Sequence, residues 1–113
     1  MSMMDEQRFR NESDKALDAL KQALIAAEEE SEFEAEEQNG VLNVLFEEAG
    51  GKFVFTPNTP VRQIWISALS TSFKLEWSEE RGAFVLPKSG EDLRTLTERL
   101  LREHTGNSAI SLR

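Results

Sequence analysis

A chain of 113 residues with 39% hydrophobic and 8% aromatic side chains fits one folded unit with a single modest core. The absence of cysteine excludes disulfides, thiolate metal sites and thiol nucleophiles, so any metal falls to oxygen donors or to the lone His104. The net charge of −8 is uneven: residues 1–50 carry 14 acids and 4 bases, and residues 51–113 carry 7 acids and 9 bases. The first half therefore repels nucleic-acid phosphates and anionic membranes and attracts cations and basic protein patches.

No apolar run reaches the roughly 18 residues of a membrane span, and the first ten residues lack the apolar core of a signal peptide. The expected location is cytoplasmic. Nucleic acid and membrane are not expected partners.

From residue 5 to about 29, Phe9, Ala16, Leu17, Leu20, Leu24 and Ala27 recur at three- and four-residue spacing, which predicts a helix with one apolar stripe. Residues 32–37 alternate Glu with Phe and Ala, the period of a strand, and Asn39-Gly40 is the preferred pair for a tight hairpin turn. Residues 41–46 and 52–56 read as strands joined through Gly50-Gly51. The run 56–60 holds Pro57 and Pro60 and is expected to be a connection, because two prolines cannot both serve an interior ladder.

Strands follow at 62–68, 73–77 and 83–86. Ser89 is the expected N-cap of a last helix, with Asp92 three residues on and Leu93, Leu96, Leu100 and Leu101 as its apolar stripe. The expected architecture is an α+β two-layer sandwich. An antiparallel sheet of five to six strands carries the N- and C-terminal helices on one face and leaves the other open. One domain is expected over 1–113, with residues 1–4 and 106–113 frayed.

Two features could carry function. The run EEESEFEAEE at 28–37 places seven glutamates in ten positions. On a helical wheel Asp14, Asp18, Glu28 and Glu29 share a side away from the leucines, and Glu32, Glu34 and Glu36 share one strand face. Such a ridge is either a solvated charged edge or a surface for a cation or basic partner. Hard cations suit carboxylates, but exposed carboxylates without a rigid supporting shell bind weakly and with little selectivity. The run does not follow the order of a calcium loop, there is no nucleotide-binding glycine loop, and no Ser has a positioned His or Lys. His104, near the end of the last helix, is expected to be structural.

The second feature is Trp65 in RQIWISA. With Ile64 and Ile66 inward, Trp65 and Gln63 face the open side, either packed under a loop or available as a partner anchor.

These residues together resemble the frataxin family in its bacterial, CyaY-type branch. The likeness rests on the acidic helix and strand, on NGVL at 39–42, on TPVRQIWIS at 59–67, on KLEW at 74–77 and on SGEDLRTL at 89–96, and it spans nearly the whole chain. The resemblance implies weak iron binding by the ridge, carried onto Asp14, Asp18, Glu28, Glu29, Glu30, Glu32, Glu34, Glu36 and Glu37. It also implies docking on the cysteine desulfurase and scaffold protein that build iron–sulfur clusters, with Gln63, Trp65 and Lys74 as sheet-surface contacts.

A monomer without metal and a non-enzymatic regulator are expected, and weak oxidation of bound iron stays compatible with that. The competing readings are an iron-storing or iron-oxidising protein, which would need a bridged carboxylate pair with His on facing helices, and an acidic interaction module independent of metal. Two departures from the family pattern stand out: Thr56 replaces a family asparagine, and Ser70-Thr71-Ser72 replaces a glycine-containing loop.

Overall fold

The computed structural model describes residues 4–28 and 32–112. Helix α1 (Glu6–Glu28) begins where Asp5 accepts a hydrogen bond from the Arg8 backbone N–H at 2.8 Å, an N-cap that satisfies one of the orphan amides of the first turn. Its buried positions, Phe9, Ser13, Leu17, Leu20, Ala23 and Leu24, form one stripe. Six strands follow: β1 (Phe33–Gln38), β2 (Val41–Phe46), β3 (Lys52–Asn58), β4 (Gln63–Ala68), β5 (Thr71–Ser78) and β6 (Ala83–Val85). Helix α2 (Leu93–Thr105) closes the order.

The sheet is an antiparallel meander in chain order, with both helices on one face, as expected for an α+β sandwich. Alternation decides which residues meet the helices. Phe33, Leu42, Val44, Phe46, Phe53, Phe55, Ile64, Ile66, Leu75 and Phe84 point inward and are buried against Leu20, Leu24, Leu96 and Leu100. Among the described residues, no helix or strand covers the opposite face.

Four local expectations are corrected. The 56–60 run is not simply a connection: β3 continues to Asn58, with Pro57 opposite Ile64 and beyond Phe55, the last β3 residue paired with β2. Its missing N–H thus removes no rung on the β2 side, and the chain turns in a 3-10 segment (Thr59–Val61) where Pro60 is tolerated. Arg62 is not in the strand either. It takes a left-handed conformation (φ 56°) that ends that turn, and its guanidinium holds the carbonyls of Met4 and Thr59.

Ser89 is not the cap of α2. Asp92 accepts from the Thr95 N–H at 2.8 Å, while the Ser89 hydroxyl donates to Glu91. Asp92 directly precedes the first helical residue, and its carboxylate suits the positive end of the helix. The last helix ends at Gly106, whose φ of 75° suits the left-handed C-cap.

Residues 107–112 are docked, not frayed. Ile110 and Leu112 are buried, the Ile110 carbonyl accepts from Arg102 Nε at 2.8 Å, and the Leu112 N–H donates to Glu98 at 2.8 Å. Two aliphatic side chains two residues apart sufficed to dock it.

Candidate functional site: an acidic edge and an open sheet face

The Asn39-Gly40 turn sets the register of β1 on β2, pairing Phe33 with Phe46 and Glu36 with Asn43. Glu34 and Glu36 consequently project from the open face and Glu37 from the helix side, all three exposed. Asp14 and Asp18 lie on the exposed flank of α1 that overlooks the same hairpin. Together with Leu17, Lys21, Glu37, Gly40 and Leu42 they line a cleft of about 280 Å³. Within it the Lys21 ammonium reaches Glu37 at 3.3 Å, so the chain supplies one cation to its own acidic surface.

Glu28 and Glu32 are placed differently from the others. Glu28 Oε2 accepts from the Ala35 N–H at 2.8 Å, on the edge strand, and Glu32 Oε1 accepts from the Ala49 N–H at 2.8 Å, in the β2–β3 turn. Both carboxylates therefore satisfy backbone donors that the sheet leaves over. Glu29 and Glu30 lie outside the described residues.

The same register that pairs Phe33 with Phe46 brings Glu47 beside Glu32, with the Glu47 N–H donating to the Glu32 carbonyl at 3.0 Å. Glu47 and Glu48, both exposed, thus enlarge the acidic edge. They are 15 residues or more from Glu32 in sequence, and only the hairpin register reveals the proximity.

Oxygen donors of this kind suit a hard cation. Among the described residues, however, no three carboxylate or imidazole groups converge as a ready coordination shell. His104 is not near the edge acids of α1 and β1: its Nε2 lies 2.8 Å from the Gly50 carbonyl, and its ring packs on Phe46 and Phe53 with centroids 4.5 and 5.3 Å away. It fastens α2 to the β2–β3 turn.

On the open face, Gln63, Trp65 and Lys74 form one connected group. Trp65 Nε1 donates to Gln63 Oε1 at 2.8 Å, Gln63 Nε2 donates to Glu76 at 3.0 Å, and the Lys74 ammonium stands 4.8 Å from the Trp65 ring centroid. Thr56 and Lys74 flank Trp65 on the neighbouring strands. The indole is half-buried and fixed by its neighbours.

The wider charge pattern is mostly surface pairing. Arg8 clasps Glu79 through two hydrogen bonds at 2.7 and 3.0 Å, and this holds the Glu79 carboxyl below its ordinary pKa. Arg99 does the same for Glu91 at 2.8 and 3.0 Å. No helix among the described residues is long and apolar enough to cross a membrane.

Comparison with known proteins places this architecture. Residues 2–107 match the family model described as a frataxin-like domain. The iron-sulfur cluster assembly protein CyaY of Pseudomonas putida strain F1 is 34% identical over 105 residues, covering 91% of each chain. CyaY of Pseudomonas fluorescens strain SBW25 is 35% identical over 92 residues, covering 80% of this chain and 83% of its own. Among solved structures, frataxin from Psychromonas ingrahamii superposes with a TM-score of 0.79 at 14% identity, covering 92% of this chain and 94% of that one, a likeness of fold. The chain belongs to the frataxin-like family.

Proposed function

We infer that this protein takes part in iron–sulfur cluster assembly as a non-enzymatic accessory that docks, through its acidic edge, on a basic patch of the cysteine desulfurase and scaffold complex, and that binds iron weakly there. Family membership supports the pathway, since the named relatives are iron-sulfur cluster assembly proteins. The observation that carries the docking reading is the exposed set Asp14, Asp18, Glu34, Glu36 and Glu37, gathered along α1 and β1 with Lys21 as the cation inside their cleft.

Like charges so arranged repel one another and destabilise the free protein. A cationic partner relieves that repulsion, and long-range attraction raises its association rate. Iron fits the same donors as a loosely held ion. The oxygen atoms suit it, while the spread of the carboxylates and the backbone duties of Glu28 and Glu32 favour weak, several-fold occupancy over one tight site.

Gln63, Trp65 and Lys74 supply a second contact on the open face, in which the rigid indole serves as anchor. Cytoplasmic residence and a monomeric state without metal accompany this reading.

A desulfurase assay run with and without this protein, each with and without Fe²⁺, tests partner, sign and iron dependence together. The reading requires a changed rate of sulfur transfer and a further change on adding Fe²⁺. Identical rates in all four conditions would reject it. Fast, saturable Fe²⁺ oxidation abolished by replacing two particular acids would favour an iron-oxidising protein in its place.

A further inference from the structure

Strands β4 and β5 pair so that Gln63 lies opposite Glu76 and Trp65 opposite Lys74, and because side chains alternate, all four project from the open face. They form one hydrogen-bonded relay with a cation beside it. The Trp65 indole N–H donates to Gln63 Oε1 at 2.8 Å, Gln63 Nε2 donates to Glu76 Oε2 at 3.0 Å, and the Lys74 ammonium stands 4.8 Å from the indole centroid. On the other flank Thr56 and Asn58 lie opposite Trp65 and Gln63, and neither side chain bonds to them among the described residues.

Chemistry fixes the direction of this relay. An indole N–H only donates and a carboxylate only accepts, so a glutamine between them has one satisfied orientation, its NH₂ toward Glu76 and its oxygen toward Trp65. Without the carboxylate the amide is free to turn about its broad terminal torsion, and the indole N–H then faces an NH₂ group as readily as an oxygen. Each bond in such a relay also polarises the next. Glu76 is exposed, whereas Gln63 and Trp65 are half-buried, so the carboxylate acts on the ring from the solvent side through the amide.

We propose that Glu76 is a positioning residue for the open-face contact. Acting through the Gln63 amide, it holds the Trp65 indole with its N–H consumed within the sheet, so that a partner meets the ring and the adjoining Lys74 ammonium rather than a free N–H donor. This rests on the reading of Trp65 as a partner anchor. An anchor already held in one orientation loses less side-chain freedom on binding than a mobile one. What Glu76 contributes is an acceptor in the right place, not its charge.

The test compares Glu76→Gln, Glu76→Ala and Glu76→Lys in the full-length protein labelled with ¹⁵N, with Trp65→Phe to identify the Trp65 indole signal and circular dichroism to verify the fold. Glutamine keeps an acceptor oxygen for Gln63 and removes only the charge. Alanine removes the acceptor, and lysine substitutes a donor that draws the Gln63 oxygen away from the indole. The Trp65 indole N–H signal should stay in place in Glu76→Gln. It should move upfield and exchange faster with solvent in Glu76→Ala, and furthest in Glu76→Lys. Titrated with the desulfurase and scaffold complex, Glu76→Ala should bind about three- to tenfold more weakly, the worth of one hydrogen bond, and Glu76→Gln within about twofold of the unmodified protein. An indole signal unmoved in Glu76→Ala and Glu76→Lys overturns the proposal. So does equal weakening in Glu76→Gln and Glu76→Ala, which would make charge the cause, or undiminished binding by Glu76→Ala. If the unmodified protein itself fails to bind the complex, the anchor reading falls, and the indole signal alone decides whether Glu76 orients the ring.

Discussion

Leu69 and Ser70 stand with φ of 54° and 58° in the two-residue turn between β4 and β5, where Ala68 pairs with Thr71. Both central residues are left-handed, as in a type I′ hairpin, a conformation costing an ordinary side chain roughly 1–2 kcal/mol. Leu69 is also exposed, so it recovers little by burial. Replacing the pair by Leu69→Asn with Ser70→Gly should raise stability by about 1–2 kcal/mol, read as a higher urea midpoint at constant slope.

Glu91 shows the opposite situation. Its carboxyl is held below the ordinary value by Arg99, so the folded form binds its proton at lower pH than the unfolded chain does. The pair's stabilisation is fully present above the unfolded pKa of about 4.3 and fades as pH falls through the folded one. Arg99 is nearly half exposed, which limits the contribution to less than about 1 kcal/mol. Glu91→Gln should remove that increment and flatten the acid limb of the stability curve measured by denaturant titration from pH 6 downward.

At the scale of elements, the tail and the sheet edge carry the informative consequences. Truncating Ile110 to alanine should cost about 2–4 kcal/mol, because the side chain is buried in the main core. A frayed tail would lose nothing on thermal melting. Glu28 closes the Ala35 N–H of edge strand β1, so Glu28→Ala should speed hydrogen exchange at that amide and lower stability by about 1 kcal/mol.

The sequence was most legible where one local rule dominated. Asn39-Gly40 sets the β1–β2 register, and the helix periods locate the leucine stripes. It misled where rules competed: Ser89 and Asp92 were both competent caps, and the one adjacent to the helix was used. Pro57 reads as a breaker, yet it sits past the end of one ladder, where a breaker does no harm. The roles of Glu28 and Glu32 were hidden for a different reason. Their partners, Ala35 and Ala49, are backbone donors set free by sheet pairing, and no side-chain pattern announces them.

For the whole molecule, the lopsided charge becomes a geometric polarity. The described acids Asp14, Asp18, Glu28, Glu32, Glu34, Glu36, Glu37, Glu47 and Glu48 gather on α1, β1 and the β2–β3 turn, while four bases of the second half, Arg62, Arg81, Arg99 and Arg102, are spent in pairs with Asp92, Glu91 and Glu98 or on backbone carbonyls. Binding through such an edge weakens steeply with salt, since exposed charges are screened beyond about 10 Å at 0.1 M ionic strength. Because Glu28 and Glu32 support the fold, the informative charge reversals are Asp18→Lys, Glu34→Lys and Glu36→Lys, whose side chains are exposed and accept no backbone N–H among the described residues.

The most direct measurement is the affinity of this triple variant for the cysteine desulfurase, by isothermal titration calorimetry at about 50 and 300 mM salt, beside the unmodified protein and with circular dichroism to verify the fold. Docking through the acidic edge requires strong, salt-sensitive binding by the unmodified protein and at least a roughly tenfold loss, with a flattened salt dependence, in the folded variant. Equal affinity of the two proteins at both ionic strengths would contradict it.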